Sequence, residues 1–355
     1  MKKWLHIFSV IGAIILLFLG GYLLFREPPA TVVENEIVKV GWIGHGDHRA
    51  IDLALKDLNM EDVEIIFREV ECDREKTVEA SRELISQGVV VAISELCSET
   101  YYQASETFKQ DGVIMIQASS DLVDYVDEPM FRTVPHQRQV LAYGIDYLRG
   151  KGIENIAVVG SSEEWAQPLN SLIADLFTEE GRTLTFVSLQ NDQGEEIVDE
   201  ILSERLTELK EVDPDVVYIV ARGADPARIM TLAEEIELEA TMYGIGELFD
   251  DVDELGEIGN DLRVVVVGGG SSGFEEQYRI AYGEDSGMYS AHAYDAMTAV
   301  ARVLREGANT REAMVASLQE LSFEGASGKI DFTDNGHIPG RFEVRVLKDG
   351  EFIEK

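Results

Sequence analysis

From Ile37 onward, short apolar runs alternate with longer stretches whose apolar positions recur every three or four residues. The first kind suits parallel strands covered on both faces, the second amphipathic helices. Ile37 to Ile43, Val63 to Phe67, Val89 to Ile93 and Val113 to Ile116 read as strands, with helices over His48 to Asn59, Glu75 to Gln87 and Ser98 to Gln110 between them. Gly88 and Gly112 follow two of those helices as C-terminal caps. The pattern then restarts with a helix over Gln137 to Arg149. Strands follow at Ile156 to Val159, Leu184 to Leu189, Val216 to Val220, Thr241 to Gly244 and Leu262 to Val267. Helices over Trp165 to Glu180, Glu195 to Glu211 and Pro226 to Ile236 separate the first four of these. Two more helices, Ser290 to Glu306 and Thr310 to Leu321, precede a tail in which Lys329 to Phe332 and Phe342 to Leu347 are expected to pair around Asn335-Gly336. The series predicts an α/β chain of two doubly wound, Rossmann-like halves. Ligands of such sheets sit beyond the C-terminal strand ends.

One stretch departs from this alternation. From Trp4 to Phe25, 22 residues run without a charge apart from the titratable His6, behind Met1-Lys2-Lys3. At about 1.5 Å per residue that length crosses a bilayer core, and the two lysines place the N-terminus in the cytoplasm. Residues 1–25 are therefore expected to be a signal-anchor helix. No small-x-small cleavage site follows the run, which ends in Arg26-Glu27-Pro28-Pro29-Ala30, and no lipid-accepting Cys follows it either. Residues 26–36 read as a tether, because Pro28-Pro29 cannot enter a helix and Glu27, Glu34 and Glu36 stay solvated. The folded part would lie outside the cytoplasm, within about 35 Å of the membrane.

Composition narrows the function. Against 67 Asp+Glu stand 30 Lys+Arg, a formal charge of −37, which excludes a nucleic-acid binder relying on a broad basic face. Hydrophobic content of 45% at 355 residues is enough for two cores and argues against long disorder. The two cysteines, Cys72 and Cys97, have neither CxxC nor metal-like spacing; they are either a disulfide of an exported chain or two buried thiols.

Candidate chemistry falls at strand ends. Ser98 opens a helix directly after a strand, so it marks either an anion site at the helix N-terminus or a simple cap. Ala118-Ser119-Ser120 follows the next strand. Trp165 follows the first strand of the second half and would stack over a ligand or pack a helix start. Glu247, on the loop Gly244-Ile245-Gly246-Glu247, would meet an ammonium group or stay solvated. His45-Gly46-Asp47-His48 lacks a third cluster to complete a metal site, so no metal and no cofactor is expected. Gly269-Gly270-Ser271-Ser272-Gly273 fits GxSxG, with Asp295 or Asp331 and His337 later, but few strands remain after Ser271 to complete a hydrolase sheet. A hydrolase is the lesser reading, and no enzyme is expected.

Taken together, Cys72-Asp73, a helix, a strand ending in Leu96-Cys97-Ser98, then MFRTVP and GASGKIDFTDNG, resemble the type I periplasmic binding proteins of the branched-chain amino-acid group. These are the substrate-binding components of ABC transporters. The resemblance runs from about Val38 to Phe352. It implies a Cys72–Cys97 disulfide and two lobes joined by three hinge crossings, near Pro135-His136, Gly268 to Gly273 and Gly325 to Lys329. Lobe one would combine 37–135 with 274–327, and lobe two 136–273 with 328–355. Family positions for the ligand fall on Ser98, on Ala118, Ser119 and Ser120, on Trp165, on Tyr289 and, one position displaced, on Glu247. Where the family has an aromatic pair after Val216 to Val220, this chain has Arg222-Gly223, which puts a cation in the cleft. The implied partners are a small amino acid-like solute and an ABC permease, with the membrane reached through the N-terminal helix. A membrane-anchored ligand-sensing subunit for a signalling partner is the alternative.

Overall fold

The computed structural model describes residues 37–46, 48–119, 131–163, 165–178, 183–249, 252–332 and 338–354. Strand and helix alternate through β1 (Val38–Gly44), α1 (Arg49–Asp57), β2 (Val63–Glu69), α2 (Arg74–Ser86), β3 (Val91–Glu95), α3 (Ser98–Gln110), β4 (Ile114–Gln117) and β5 (Phe131–Arg132). The five strands form one sheet in the order β2-β1-β3-β4-β5, every neighbouring pair parallel. All five C-terminal ends therefore open on one edge.

The second series comprises α4 (Gln137–Gly150), β6 (Asn155–Gly160), α5 (Gln167–Thr178), β7 (Thr183–Ser188), α6 (Asp199–Lys210), β8 (Val216–Val220), α7 (Asp225–Glu235), β9 (Thr241–Gly244), α8 (Val252–Leu255) and β10 (Arg263–Val267). After it come α9 (Ser272–Tyr282), α10 (Ser290–Arg305), α11 (Arg311–Gln319), β11 (Ser322–Glu324), β12 (Lys329–Asp331), β13 (Phe342–Lys348) and β14 (Glu351–Glu354). The second sheet has seven strands in the order β14-β13-β10-β9-β8-β6-β7. Its run from β10 to β7 is parallel, and β13 and β14 extend it antiparallel.

Period-2 alternation explains why both faces of the first sheet are covered. On β3, Val91 and Ile93 face a core shared with Trp42, Ile116, Met297 and Val300, while Ala92 faces the opposite core with Leu84, Phe108 and Met115. Helix α10 is buried over most of its length because Ala291, Ala293, Ala296, Ala299 and Ala301 let neighbours approach closely. A separate large core, including Val158, Phe177, Ile219, Val265 and Leu347, belongs to the seven-stranded sheet.

The tail differs from expectation. β12 pairs with β11, not with β13, and β13 pairs with β10 and β14. The expected turn at Asn335-Gly336 lies outside the described residues; Asp349-Gly350 turns between β13 and β14, with positive φ values of 49° and 84° that match the primed turns that suit hairpins. Likewise Gly325 to Lys329 is not a crossing. Residues 325–328 turn between β11 and β12, and Ile330 and Phe332 pack into the core of the five-stranded sheet. The chain therefore returns to the second sheet after Phe332. The expected anchor at 1–25 and tether at 26–36 lie outside the described residues. Among the described residues no helix is long and apolar enough to cross a membrane.

Among the described residues, the segments that connect the two sheets are bonded to the stretch before β13. The Gly268 N–H donates to the Arg341 carbonyl at 2.7 Å, and Arg341 Nη2 donates back to the Gly269 carbonyl at 2.6 Å. Gln139, in the capping box that opens α4 at His136, donates through Nε2 to the Ile338 and Pro339 carbonyls at 3.1 and 3.3 Å. Thr133 Oγ1 donates to the His292 carbonyl at 2.7 Å.

Candidate functional site

At the C-terminal edge of the first sheet, β3 leads through Leu96 and Cys97 into α3. Cys97 is the N-cap residue in extended conformation (φ −63°, ψ 151°), and Ser98 is the first helical residue. The cap position therefore falls on Cys97 rather than Ser98. The Thr100 and Tyr101 N–H groups both bond to the Cys97 carbonyl at 3.0 Å. The N–H groups before them precede any intrahelical acceptor, as at every helix start. Cys97 is disulfide-bonded to Cys72, with 5.6 Å between Cα atoms, so the loop before α2 holds this helix end in place.

Ser119 sits beside it after β4, in a buried polar chain. Ser94 Oγ donates to Gln117 Oε1 at 2.5 Å, Gln117 Nε2 donates to Ser119 Oγ at 3.0 Å, and Ser119 Oγ donates to the Leu96 carbonyl at 3.2 Å. The single hydroxyl hydrogen of Ser119 is therefore committed to the segment that presents Ser98. Ala118 is fully buried, and Ser120 lies outside the described residues. Ser94 and Gln117 carry no motif, and the periodicity of a strand identifies them only as inward-facing.

In the second sheet the candidate residues follow three adjacent strands: Trp165 after β6, Arg222 after β8 and Glu247 after β9. Trp165 is half-buried, and its indole Nε1 donates to Glu163 Oε2 at 2.8 Å. The loop carrying it is braced: Ser162 N donates to Gln190 Oε1 at 2.6 Å, and Asn170 Nδ2 to the Ser161 carbonyl at 2.8 Å. Arg222 lies over the Trp165 ring, its guanidinium carbon 4.0 Å from the ring centroid. Gly223, at φ +60°, turns the chain directly after Arg222. Glu247 belongs to a single 3₁₀ turn, Gly246–Phe249, that closes the end of β9.

Tyr289 is the residue before α10 and lies where the two cores meet. It packs against the core of the seven-stranded sheet, although α10 itself packs against the five-stranded one. His292, one turn on, is 6.3 Å from the Tyr289 ring. Its Nδ1 lies 2.5 Å from the Thr133 carbonyl, which places it at the first connecting segment. Burial, aided by the Arg341 charge and opposed by the bond to the Thr133 carbonyl, pushes the His292 imidazole down to about 4.

His48 takes a packing position: its ring lies 5.5 Å from Trp42 and 4.4 Å from Phe67. Ser271, the GxSxG serine, accepts from the Phe274 N–H at 3.3 Å as the cap of α9. Asp295 is bound to Ala326 and Ser327, and His337 lies outside the described residues. GxSxG here is a connecting segment that starts a helix.

The family comparison agrees with this geometry. The sequence model described as "Periplasmic binding protein" matches residues 40–344, and the chain belongs to that family. The leucine-, isoleucine-, valine-, threonine- and alanine-binding protein of Pseudomonas aeruginosa is 19% identical over 298 residues, covering 75% of this chain and 74% of that protein. Among solved structures, an ABC transporter substrate-binding protein from Desulfitobacterium hafniense in complex with Leu is similar at TM-score 0.76 and 18% identity, over 90% of this chain and 99% of that one. An ABC transporter solute-binding protein from R. palustris in complex with benzoate is similar at TM-score 0.70 and 17% identity, over 89% of this chain and 95% of that one. At such identities the structural likeness establishes the fold.

Proposed function

We propose that this chain is the extracytoplasmic solute-binding component of an ABC transporter, which captures an amino acid or similar small polar solute and delivers it to the permease. One lobe is built on the five-stranded sheet together with residues 274–332, the other on the seven-stranded sheet. The observation that supports the reading is that the candidate residues of both sheets follow the C-terminal ends of parallel strands. Ser98 stands at a helix N-terminus in the first sheet, and Trp165, Arg222 and Glu247 follow three adjacent strands of the second.

A helix N-terminus favours an anion, so Ser98 and the first turn of α3 hold the solute carboxylate. Ser119 acts through its bond to Leu96, keeping that segment in place. Glu247 meets the ammonium group, and Trp165 and Tyr289 close over the solute. Because the solute touches both lobes only when they approach, its binding energy drives closure about the three connecting segments.

A thermal-shift screen of the full-length chain against amino acids, amides and small carboxylic acids tests this. At 100 times its dissociation constant a ligand should stabilise the fold by about 2.7 kcal/mol. Ser98→Ala and Glu247→Gln should each weaken the ligand so found. Unchanged affinity in both would contradict the assignment.

A further inference from the structure

The end of the seven-stranded sheet carries a cation where a neutral, apolar side chain would find no partner. Arg222 follows β8 and stacks on Trp165, which follows the adjacent strand β6, with 4.0 Å between guanidinium carbon and ring centroid. The guanidinium carries five N–H donors in one plane. That planar fork matches a carboxylate, which it meets with two parallel bonds. The stack is ordered before any solute arrives: Glu163 Oε2 holds the indole N–H at 2.8 Å, and Ser161 Oγ accepts from the Glu163 N–H at 3.1 Å. A pre-ordered donor loses less conformational freedom on binding than a mobile one.

The charge of the rest of the protein sharpens the point. With a formal charge of −37 the chain as a whole repels anions. Arg222 places a cation at the end of one strand of that acidic chain. An aliphatic side chain placed against the same guanidinium would strip water from a charge and offer nothing in return. An edge of five donors admits a carboxylate alongside the contacts Arg222 already makes.

We infer that Arg222, held by Trp165, selects a solute with a second carboxylate at the end remote from Ser98. The ligand class is thus an acidic amino acid rather than a branched-chain one. This rests on the solute-binding role proposed above. Arg222 touches the ligand; Trp165 and Glu163 are positioning residues.

Calorimetric titration of the full-length chain with L-glutamate, L-glutamine and L-leucine tests the inference. Glutamate should bind at least about tenfold tighter than either neutral amino acid, the usual margin for a charge-assisted contact. Arg222→Gln should erase that preference, weakening glutamate by about tenfold or more so that glutamate and glutamine bind alike. Trp165→Phe, which keeps a face for stacking, should retain most of the preference that Trp165→Ala loses. Leucine or glutamine binding as tightly as glutamate, or glutamate binding untouched by Arg222→Gln, overturns the inference and leaves the solute-binding role standing. No heat with any of the three overturns the inference, and the broader screen then tests the solute-binding role.

Discussion

The Asp295 carboxylate holds the Ser327 turn from inside the protein, accepting at Oδ2 from Ser327 N at 2.8 Å and from Ser327 Oγ at 2.6 Å. Oδ1 accepts from the Ala326 N–H at 2.7 Å, and the Ala326 carbonyl in turn accepts from Ser271 N in the second connecting segment. Helix α10 is thereby joined to the hinge region through a buried charge.

Burial pushes the Asp295 carboxyl up to about 6, against the bonds from Ser327 and Ala326 that pull it down. A carboxyl raised on folding stabilises the fold below its unfolded value and loses that contribution as pH rises through about 6. Between about pH 7.5 and about pH 5 the gain is about 1.4 kcal/mol. Asp295→Asn should lack it, and urea unfolding at the two pH values measures the difference. Parallel pH dependence in wild type and variant would count against this account.

His292 works in the opposite sense. Its imidazole is pushed down to about 4, chiefly by burial, so its contribution is present above the unfolded value and is lost as pH falls toward 4. Over the same window the loss is about 2 kcal/mol. His292→Gln should therefore withstand acid better than wild type by about that amount, read from the same urea midpoints. The two groups stand one turn apart on α10 and nearly cancel, so the single variants reveal what the wild-type profile hides.

The Cys72–Cys97 disulfide closes a separation of 25 residues, for which the chain-entropy estimate is about 3.5 kcal/mol. Cys72→Ser paired with Cys97→Ser should lower unfolding stability by about 2–4 kcal/mol. Because Cys97 is the N-cap before Ser98, ligand affinity measured well below the melting temperature should fall as well. Full affinity in the double variant would mean that α3 keeps its end without the bond.

Gly340 takes φ +75° in the third connecting segment, and a Cβ there would come within 2.6 Å of both the Phe342 ring and the Pro135 side chain. Gly340→Ala should destabilise the fold by about 2 kcal/mol through backbone strain and crowding together. Chemical denaturation measures it.

The alternation of buried strands and amphipathic helices made most of the architecture legible, and α3 occupies the expected Ser98–Gln110. Helix α6 starts at Asp199 rather than Glu195, because residues 190–197 are held in a turn by Asn191 and an isolated bridge between Gln190 and Glu196. The pairing of the tail is not legible in sequence because Asn335-Gly336 and Asp349-Gly350 are equally good turn signals, and the place of β13 depends on its long-range pairing with β10. At the site, position at a strand end was legible for Ser98, Trp165, Arg222 and Glu247, since it follows from chain order alone. The donor state of Ser119 and the place of His292 were not, because both depend on long-range partners: Leu96 in one case and Thr133, 159 residues away, in the other. Glu163 gave no signal among 67 acidic residues until its carboxylate met the Trp165 indole.

Small-angle scattering of the full-length chain with and without a saturating ligand, its binding first established by calorimetry, tests the central claim that two halves close on a solute. A smaller radius of gyration in the bound sample is the predicted result. Superimposable profiles from the free and bound protein would contradict it.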